Sequence, residues 1–137
     1  MKVLIDTNVL VSAVLNPTGA PQNAIIIAST PPNKAVLSFQ SIEEATSTFR
    51  KKFPSKLFTL TKFLTRILPF ITIVTVPSKE VFEEKQIRDI DDRTIYRTAV
   101  KAKADIILTG DKDLLESGIT SPQIMTAREF LDLYNCE

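Results

Sequence analysis

The sequence predicts a single α/β domain in which a parallel sheet of roughly five strands lies between helices. Two observations carry this prediction. Short apolar segments without polar alternation, typical of strands buried on both faces, are separated by segments with a helical spacing of apolar residues. The 137 residues contain no internal repeat and no linker-like segment, which fits one domain, 1–137. Hydrophobic residues make up 44% and charged residues 24%, as in ordinary globular proteins.

The first half of the chain alternates strand-like and helix-like segments. Val3-Leu4-Ile5 is a short apolar run that ends at Asp6-Thr7-Asn8, a typical helix start. Proline and glycine mark the ends of helical segments near residues 17–19, 31–32 and 69. In order, these signals predict a strand at 3–5, a helix to about residue 15, a helix at 20–29, a strand at 35–37, a helix at 41–53 and a helix at 57–68.

The second half continues this alternation. The segment 70–76 is rich in Ile, Val and Thr and predicts a third strand. A polar stretch follows to residue 88, and the aspartates of 89–92 begin a helix whose buried side carries Ile95, Ala99 and Ala102. The remaining elements are a strand at 105–109, a turn at 110–113, a strand at 123–126 and a helix at 127–134.

The composition excludes several kinds of functional site. The chain has no histidine, so a Ser-His-Asp triad, a Cys-His pair and histidine-bound zinc are ruled out. Cys136 is its one cysteine, which excludes an internal disulfide and a thiolate zinc site and fits a reducing compartment. The formal net charge of +1 gives no general attraction to nucleic acids. Acid–base and metal chemistry therefore depend on carboxylates.

We expect a cytoplasmic protein without a membrane segment. The segment 7–33 has no charged residue, but prolines and a glycine interrupt it, and its longest apolar run is 24–28. A membrane span needs about 20 predominantly apolar residues. The apolar run before Asp6 is too short for the core of a signal peptide.

Aspartates follow two of the predicted strands and begin a helix between them. Asp6 ends the first strand, Asp111 follows the fourth, and Asp92 lies at the start of the helix that leads into the fourth. The carboxyl ends of parallel strands share one edge, where such folds bind ligands, so we expect these side chains to meet. Grouped carboxylates need a cation to offset their charge, and an all-oxygen site favours Mg²⁺ or Mn²⁺. Such a site can hydrolyse a phosphodiester bond without histidine.

Each acid also has a purely structural interpretation. Asp6 alone can cap the helix that follows it, and the aspartates of 89–92 suit any helix start. Residues 110–113 have an ordinary turn composition. Capping does not explain why an acid stands at the ends of two separate strands, and this observation favours the metal site.

At these residues the sequence resembles the PIN-domain ribonucleases, in particular the small stand-alone kind found as toxins of toxin–antitoxin pairs (VapC-like). The resemblance runs through most of the chain. It is carried by VLIDTNVLVSA at 3–13, by Gly-Ala-Pro at 19–21, by Glu44, by Asp92 with Ile95 and Ala99, and by TGDKDLL at 109–115.

The resemblance implies a parallel five-stranded sheet between helices and metal-dependent cleavage of RNA. The acids it implies for catalysis and for binding Mg²⁺ or Mn²⁺ are Asp6, Glu44, Asp92 and Asp111. The supporting residues, which orient or assist these carboxylates, are Asn8, Thr109 and Asp113. It also implies a separate antitoxin protein that covers the acidic crevice and, as is common for such domains, a homodimer.

Two of these assignments have alternatives. Glu43 and Glu44 lie equally far from the apolar face of their helix, and only the family spacing favours Glu44. Relatives often have a proline where this chain has Ile90, so Asp89 or Asp91 can share or replace the role of Asp92.

Basic residues are the second requirement for an RNA-binding protein. The segment 38–66 carries six basic residues against two glutamates, and Arg93, Arg97 and Lys101 recur every fourth residue of one helix. Both groups can be solvated faces. We favour the first as the site for RNA phosphates, with the contacts Arg50, Lys51, Lys52 and Lys56.

Two other functions compete with a ribonuclease. A catalytically degenerate module of the same fold can bind RNA or a partner, and the weak match at Glu44 motivates this alternative. A phosphatase with an aspartyl nucleophile ranks last, because it needs a second aspartate where this chain has Asn8.

Overall fold

The computed structural model describes residues 1–135, so Cys136 lies outside the described residues. Its centre is a sheet of five parallel strands in the order β3-β2-β1-β4-β5. The strands are β1 (Lys2–Ile5), β2 (Lys34–Ser38), β3 (Ile71–Val74), β4 (Ile106–Leu108) and β5 (Gln123–Met125). The α/β class with a parallel sheet is thereby confirmed.

Helices connect the strands and cover both faces of the sheet. Within residues 1–135 they are α1 (Thr7–Leu15), α2 (Ala20–Ala28), α3 (Phe39–Lys52), α4 (Leu57–Ile67), α5 (Ile90–Ala102), α6 (Lys112–Leu115) and α7 (Ala127–Asn135). Short 3-10 turns add Pro54–Lys56, Leu68–Phe70 and Phe82–Gln86. In the described part of the chain, every helix is too short or too polar to cross a bilayer.

The core has two halves because neighbouring strand residues point to opposite faces of the sheet. Val3 and Ile5 of β1 pack in the larger half with buried residues of α1, α2, α3, α4 and α7. Leu4 packs in the smaller half with buried residues of α5 and α6. All three side chains are at most 1% exposed, which explains why this strand is apolar without alternation.

The strand order creates a crevice between β1 and β4. The chain proceeds from β1 to β2 and β3 on one side, and then crosses to β4 and β5 on the other. Ile5 pairs with Leu108 in the parallel ladder, and the amide of Asp6 donates to the Leu108 carbonyl at 3.0 Å. The residues that follow β1 and β4 therefore emerge side by side, at the place where doubly wound sheets bind ligands.

Two segments differ from the sequence prediction. The turn was predicted at 110–113, but its residues 112 and 113 already belong to α6, a one-turn helix that buries Leu114. The polar stretch before α5 contains a 3-10 turn that buries Glu84, and Ile87 behind it is also fully buried. Local polarity indicated solvent there, whereas tertiary contacts fold this segment against the sheet.

A buried ion pair fixes this segment. Arg97 of α5 donates to both Glu84 carboxylate oxygens at 2.9 and 3.0 Å and to the Pro77 carbonyl at 3.1 Å. The Glu84 side chain is 3% exposed, and the bonds from Arg97 hold the pKa of its carboxyl below its usual range. Arg93 donates to the Ile87 carbonyl at 2.9 Å. Arg93 and Arg97 are therefore half-buried and donate to oxygens of the protein itself.

Candidate metal centre

Asp6 lies at the end of β1 and caps α1, and both oxygens of its carboxylate accept hydrogen bonds. One oxygen accepts from the Thr7 amide at 2.7 Å. The other accepts from the Thr109 hydroxyl at 2.8 Å and from the Asn8 side-chain amide at 3.2 Å. With an exposed fraction of 7%, Asp6 is a rigid, nearly buried carboxylate.

Asn8 and Thr109 join the ends of β1 and β4 across the crevice. The Asn8 side-chain carbonyl accepts from the Gly110 amide at 3.0 Å, while its amide group donates to Asp6. The Thr109 hydroxyl accepts from the Asp111 amide at 3.0 Å and donates to Asp6. These two side chains therefore fix the positions of Asp6 and Asp111 relative to each other, the orienting role that the resemblance implies for them.

Asp111 and Asp92 form the other wall of the crevice. Asp111 caps α6, and one of its oxygens accepts from the Asp113 amide at 2.8 Å. Asp92 is the third residue of α5, and its Oδ2 is buried without a hydrogen-bond partner in the described structure. Burial, contact with the Asp111 carboxyl and the charges of Asp111, Asp89 and Asp6 raise the pKa of Asp92 to about 7.

The pKa of Asp6 is raised as well, and the causes identify its neighbours. Burial is the largest cause, and the charges of Asp111 and Glu44 add to it. Hydrogen bonds from Thr109 and Thr7 act in the opposite direction. The charges of Asp111 and Glu44 thus act on Asp6, and a bound cation would relieve this repulsion. Within residues 1–135, however, Asp6, Glu44 and Asp111 do not belong to a group of three acids whose carboxylate oxygens lie within 4.8 Å of one another.

Hydroxyl groups connect Glu44 to this cluster. The Thr7 hydroxyl lies 3.0 Å from Glu44 Oε2 and 2.9 Å from the Ser41 hydroxyl. Ser38 caps α3 by accepting from the Ser41 amide at 3.0 Å. Both Glu43 and Glu44 are exposed, so burial does not distinguish them. Of the two glutamates, Glu44 is thus the one that contacts a residue of the crevice, and its role as a ligand stays a prediction.

The other aspartates at the start of α5 are divided between the crevice and solvent. Carboxylate oxygens of Asp89, Asp92 and Asp113 lie within 4.8 Å of one another, a spacing that can hold a metal ion. Asp89 also caps α5 by accepting from the amide of Asp91 at 3.0 Å. Asp91 itself is exposed. Asp89 and Asp113 are thus close enough to assist Asp92.

The predicted RNA-binding residues do not contact the acids. Arg50, Lys51 and Lys52 occupy the last turn of α3, and Lys56 follows in a 3-10 turn. All four are exposed. Lys51 comes seven residues after Glu44, so it lies on the same side of α3, roughly 10 Å along the helix axis. They remain candidates for phosphates at a distance from the crevice.

Sequence reasoning missed four polar residues around the crevice. Three are hydroxyl residues, Thr7, Ser38 and Ser41, and the fourth is Arg88, which pairs with Asp113 at 2.8 Å. The Ser-x-x-Ser spacing after the second strand was a readable capping signal. Nothing local indicated the pairing of Arg88, because its partner is 25 residues away.

Comparisons with known proteins agree with this architecture. A family model described as the PIN domain matches residues 2–113. An uncharacterized protein, MJ1680, of Methanocaldococcus jannaschii is 31% identical over 123 residues, which are 84% of this chain and 74% of that protein.

Two solved structures share the fold. One is VapBC2 from Rickettsia felis bound to a DNA fragment from their promoter, with a TM-score of 0.64, 18% identity and coverage of 86% of this chain and 94% of that one. The other is Mycobacterium tuberculosis VapC20, a sarcin-ricin loop cleaving toxin, with a TM-score of 0.58, 15% identity and coverage of 86% and 96%. The fold and the family model lead to one conclusion: this chain belongs to the PIN-domain family.

Proposed function

We propose that this protein is a metal-dependent endoribonuclease that hydrolyses RNA phosphodiester bonds, with the whole chain, 1–137, as its nuclease domain. The observation that supports the proposal is that Asp6 and Asp111 follow the neighbouring strands β1 and β4, share hydrogen bonds with Thr109, and both raise the pKa of Asp92 through their charges. Membership of the PIN-domain family supports the same reaction class.

The side chains of the crevice fit Mg²⁺ or Mn²⁺. The donors are carboxylate oxygens, and the buried Asp92 Oδ2 has no partner within residues 1–135. Hard divalent cations prefer such oxygens, and a positive charge would lower the raised pKa values of Asp6 and Asp92. The residues that would hold the ion are Asp6, Glu44, Asp92 and Asp111, assisted by Asp113. When bound, such an ion makes water more acidic and stabilises charge on a phosphoryl group.

The remaining residues position the acids and the substrate. Asn8 and Thr109 orient Asp6 through the bonds at 3.2 and 2.8 Å. Thr7 orients Glu44. The RNA backbone then binds along exposed positive charges at a distance from the crevice, and the residues that supply them are Arg50, Lys51, Lys52 and Lys56.

The proposed biological role is that of a cytoplasmic toxin held inactive by a separate antitoxin. The fold similarity to a VapBC complex and to a sarcin-ricin loop cleaving VapC toxin motivates this role. A crevice lined by unneutralised acids would attract a basic side chain of such a partner. A homodimer, as in the family, belongs to the same proposal.

The decisive experiment combines a chelator with a single substitution. Purified protein is incubated with structured RNA in Mn²⁺ or Mg²⁺, with and without EDTA, beside the variants Asp6→Asn and Asp132→Asn. Asp132 is exposed on α7, so its variant controls for the loss of one charge. We expect cleavage by the wild type and by Asp132→Asn, and none in EDTA or with Asp6→Asn.

Two results would contradict the proposal. Cleavage that survives both EDTA and Asp6→Asn indicates a different mechanism or a contaminating nuclease. RNA affinity without cleavage under any divalent ion indicates the catalytically degenerate binding module instead.

A further inference from the structure

Arg88 stands at the rim of the crevice, where the 3-10 segment joins α5. Its Nε and Nη2 atoms both donate to Asp113 Oδ1, at 3.2 and 2.8 Å. The preceding residue, Ile87, is fully buried, and its carbonyl accepts from Arg93 at 2.9 Å. The backbone of Arg88 therefore follows a buried residue, while its side chain reaches across to Asp113 in α6.

Stability is a poor explanation for this ion pair. The Arg88 side chain is 81% exposed and that of Asp113 is 27% exposed, and ion pairs in such a setting contribute little to stability because water screens them. A guanidinium carries five N–H groups, and these two bonds leave the others free. The ion pair with Asp113 thus orients the exposed guanidinium of Arg88 and leaves N–H groups available to bind another ligand.

The surroundings of Arg88 indicate what it can bind. Its partner Asp113 belongs to the acidic group with Asp89 and Asp92, where carboxylate oxygens approach within 4.8 Å. A phosphate that enters such a crevice meets repulsion unless a cation stands beside it. The other two arginines of 88–97 donate inward, Arg93 to Ile87 and Arg97 to Glu84. On this wall, Arg88 alone of the three presents its guanidinium to the crevice rim.

We propose that Arg88 binds a phosphate of the RNA backbone at the α5 side of the crevice, with Asp113 orienting its guanidinium. The planar fork of arginine matches phosphate oxygens and forms charge-assisted hydrogen bonds with them. This assignment rests on the proposed function. It adds a substrate contact across the crevice from the basic end of α3, so that the RNA is held from both sides.

The test compares Arg88→Ala, Arg88→Lys and the control Lys85→Ala. Lys85 lies on the same segment, exposed, with its Nζ 5.3 Å from the centroid of the Phe82 ring, so its variant removes the same charge without touching the crevice. The substrate is the structured RNA of the cleavage experiment above, labelled with a fluorophore and cleaved in Mn²⁺. For Arg88→Ala we expect KM to rise about tenfold, the loss of a charge-assisted bond, with kcat within about twofold. Arg88→Lys recovers part of the loss, and Lys85→Ala changes neither constant.

Three further readouts separate the outcomes. The melting temperature and the Mn²⁺ concentration for half-maximal rate should stay unchanged in Arg88→Ala. An unchanged KM, or a shifted Mn²⁺ requirement with unchanged KM, overturns the proposal, because Arg88 then acts only on Asp113. If the wild type does not cleave RNA, the proposed function fails. The role of Arg88 is then tested by RNA affinity, measured by fluorescence anisotropy. An affinity about tenfold lower in Arg88→Ala supports the phosphate contact, and equal affinities overturn it.

Discussion

The protein buries acidic side chains in two places and treats them in opposite ways. Glu84 is enclosed with Arg97, which neutralises it through two hydrogen bonds and lowers the pKa of its carboxyl. Asp6 and Asp92 lie near other acids without an enclosed cation, and burial raises the pKa of both. The fold can therefore neutralise a buried acid with a basic side chain where the ion pair serves stability, as it does for Glu84. Within residues 1–135 neither Asp6 nor Asp92 forms an ion pair with a basic side chain, which leaves their charge to an external cation.

The largest effect on stability is expected from breaking the buried ion pair between Arg97 and Glu84. Arg97→Met leaves the Glu84 carboxylate buried without its partner, and we expect a loss of about 3–5 kcal/mol in the free energy of unfolding. Urea denaturation measures this. The double variant Glu84→Gln, Arg97→Met should recover part of the loss, because the buried charge is gone. A single variant as stable as the wild type would show that Glu84 is hydrated in solution.

The next effect concerns the hydroxyl that connects Glu44 to the crevice. Thr7→Val keeps the side-chain volume but removes the hydroxyl that lies 3.0 Å from Glu44 Oε2 and 2.9 Å from the Ser41 hydroxyl. Groups that orient metal ligands typically account for 10–100-fold in metal affinity or activity, so we expect a fall of about tenfold in cleavage rate. Thr46→Val is the matched control, since the Thr46 hydroxyl only returns to the Ile42 carbonyl of its own helix. Equal rates for both variants would remove Thr7 from the site.

The metal-free protein should become more stable when the charge of Asp92, one of the crevice acids, is removed. At pH 8 without metal, the unfolded chain ionises Asp92 freely, whereas the folded protein must ionise it against a pKa of about 7. Allowing for solvent screening, Asp92→Asn should stabilise the metal-free protein by about 1–2 kcal/mol and abolish the stabilisation by Mn²⁺. The exposed Asp91→Asn is the control and should do neither. If Asp91→Asn abolishes the metal effect instead, the ligand has been assigned to the wrong aspartate.

The smallest effect is the change with pH in the stability difference between the wild type and Arg97→Met. Because the folded pKa of Glu84 is lowered, the stability from its pairing is present above its usual value of 4.5 and is lost as the pH falls through the folded pKa. The gap between the wild type and Arg97→Met should therefore narrow below about pH 4. Unfolding curves at a series of pH values would measure it. A gap that is constant with pH would mean that lost packing of Arg97, not charge, causes the destabilisation.

The sequence predicted most of the fold because its signals are local. Apolar runs such as Val3-Leu4-Ile5 and the prolines near helix ends mark the strands and helices with errors of a few residues. The order of the strands is not local, and only the structure reveals that β1 and β4 are neighbours. Because parallel strands end at a common edge, Asp6 and Asp111 both hydrogen-bond Thr109, and their role as metal ligands stays a prediction.

The finer features of the site depend on contacts that the sequence does not encode locally. Glu43 and Glu44 are equivalent by helical geometry, and the hydroxyl of Thr7, 37 residues away from Glu44, distinguishes them. The spacing of Arg97 with its neighbours indicated a solvated face, because nothing local showed that Glu84 would fold beneath it. Burial of a charged residue becomes visible only when its partner is known.

The capping role of the crevice acids affects how relatives of this protein can be interpreted. Asp6 and Asp111 each commit one carboxylate oxygen to starting a helix, so folding alone would retain them in a descendant that had lost catalysis. Asp92 differs, because it lies inside the first turn of α5 with a buried oxygen that no hydrogen-bond donor satisfies in the described structure. Because its pKa is raised, we expect its replacement to stabilise the metal-free protein. When homologues are compared, the residue at the position of Asp92 is therefore the most informative mark of a lineage that still uses the site.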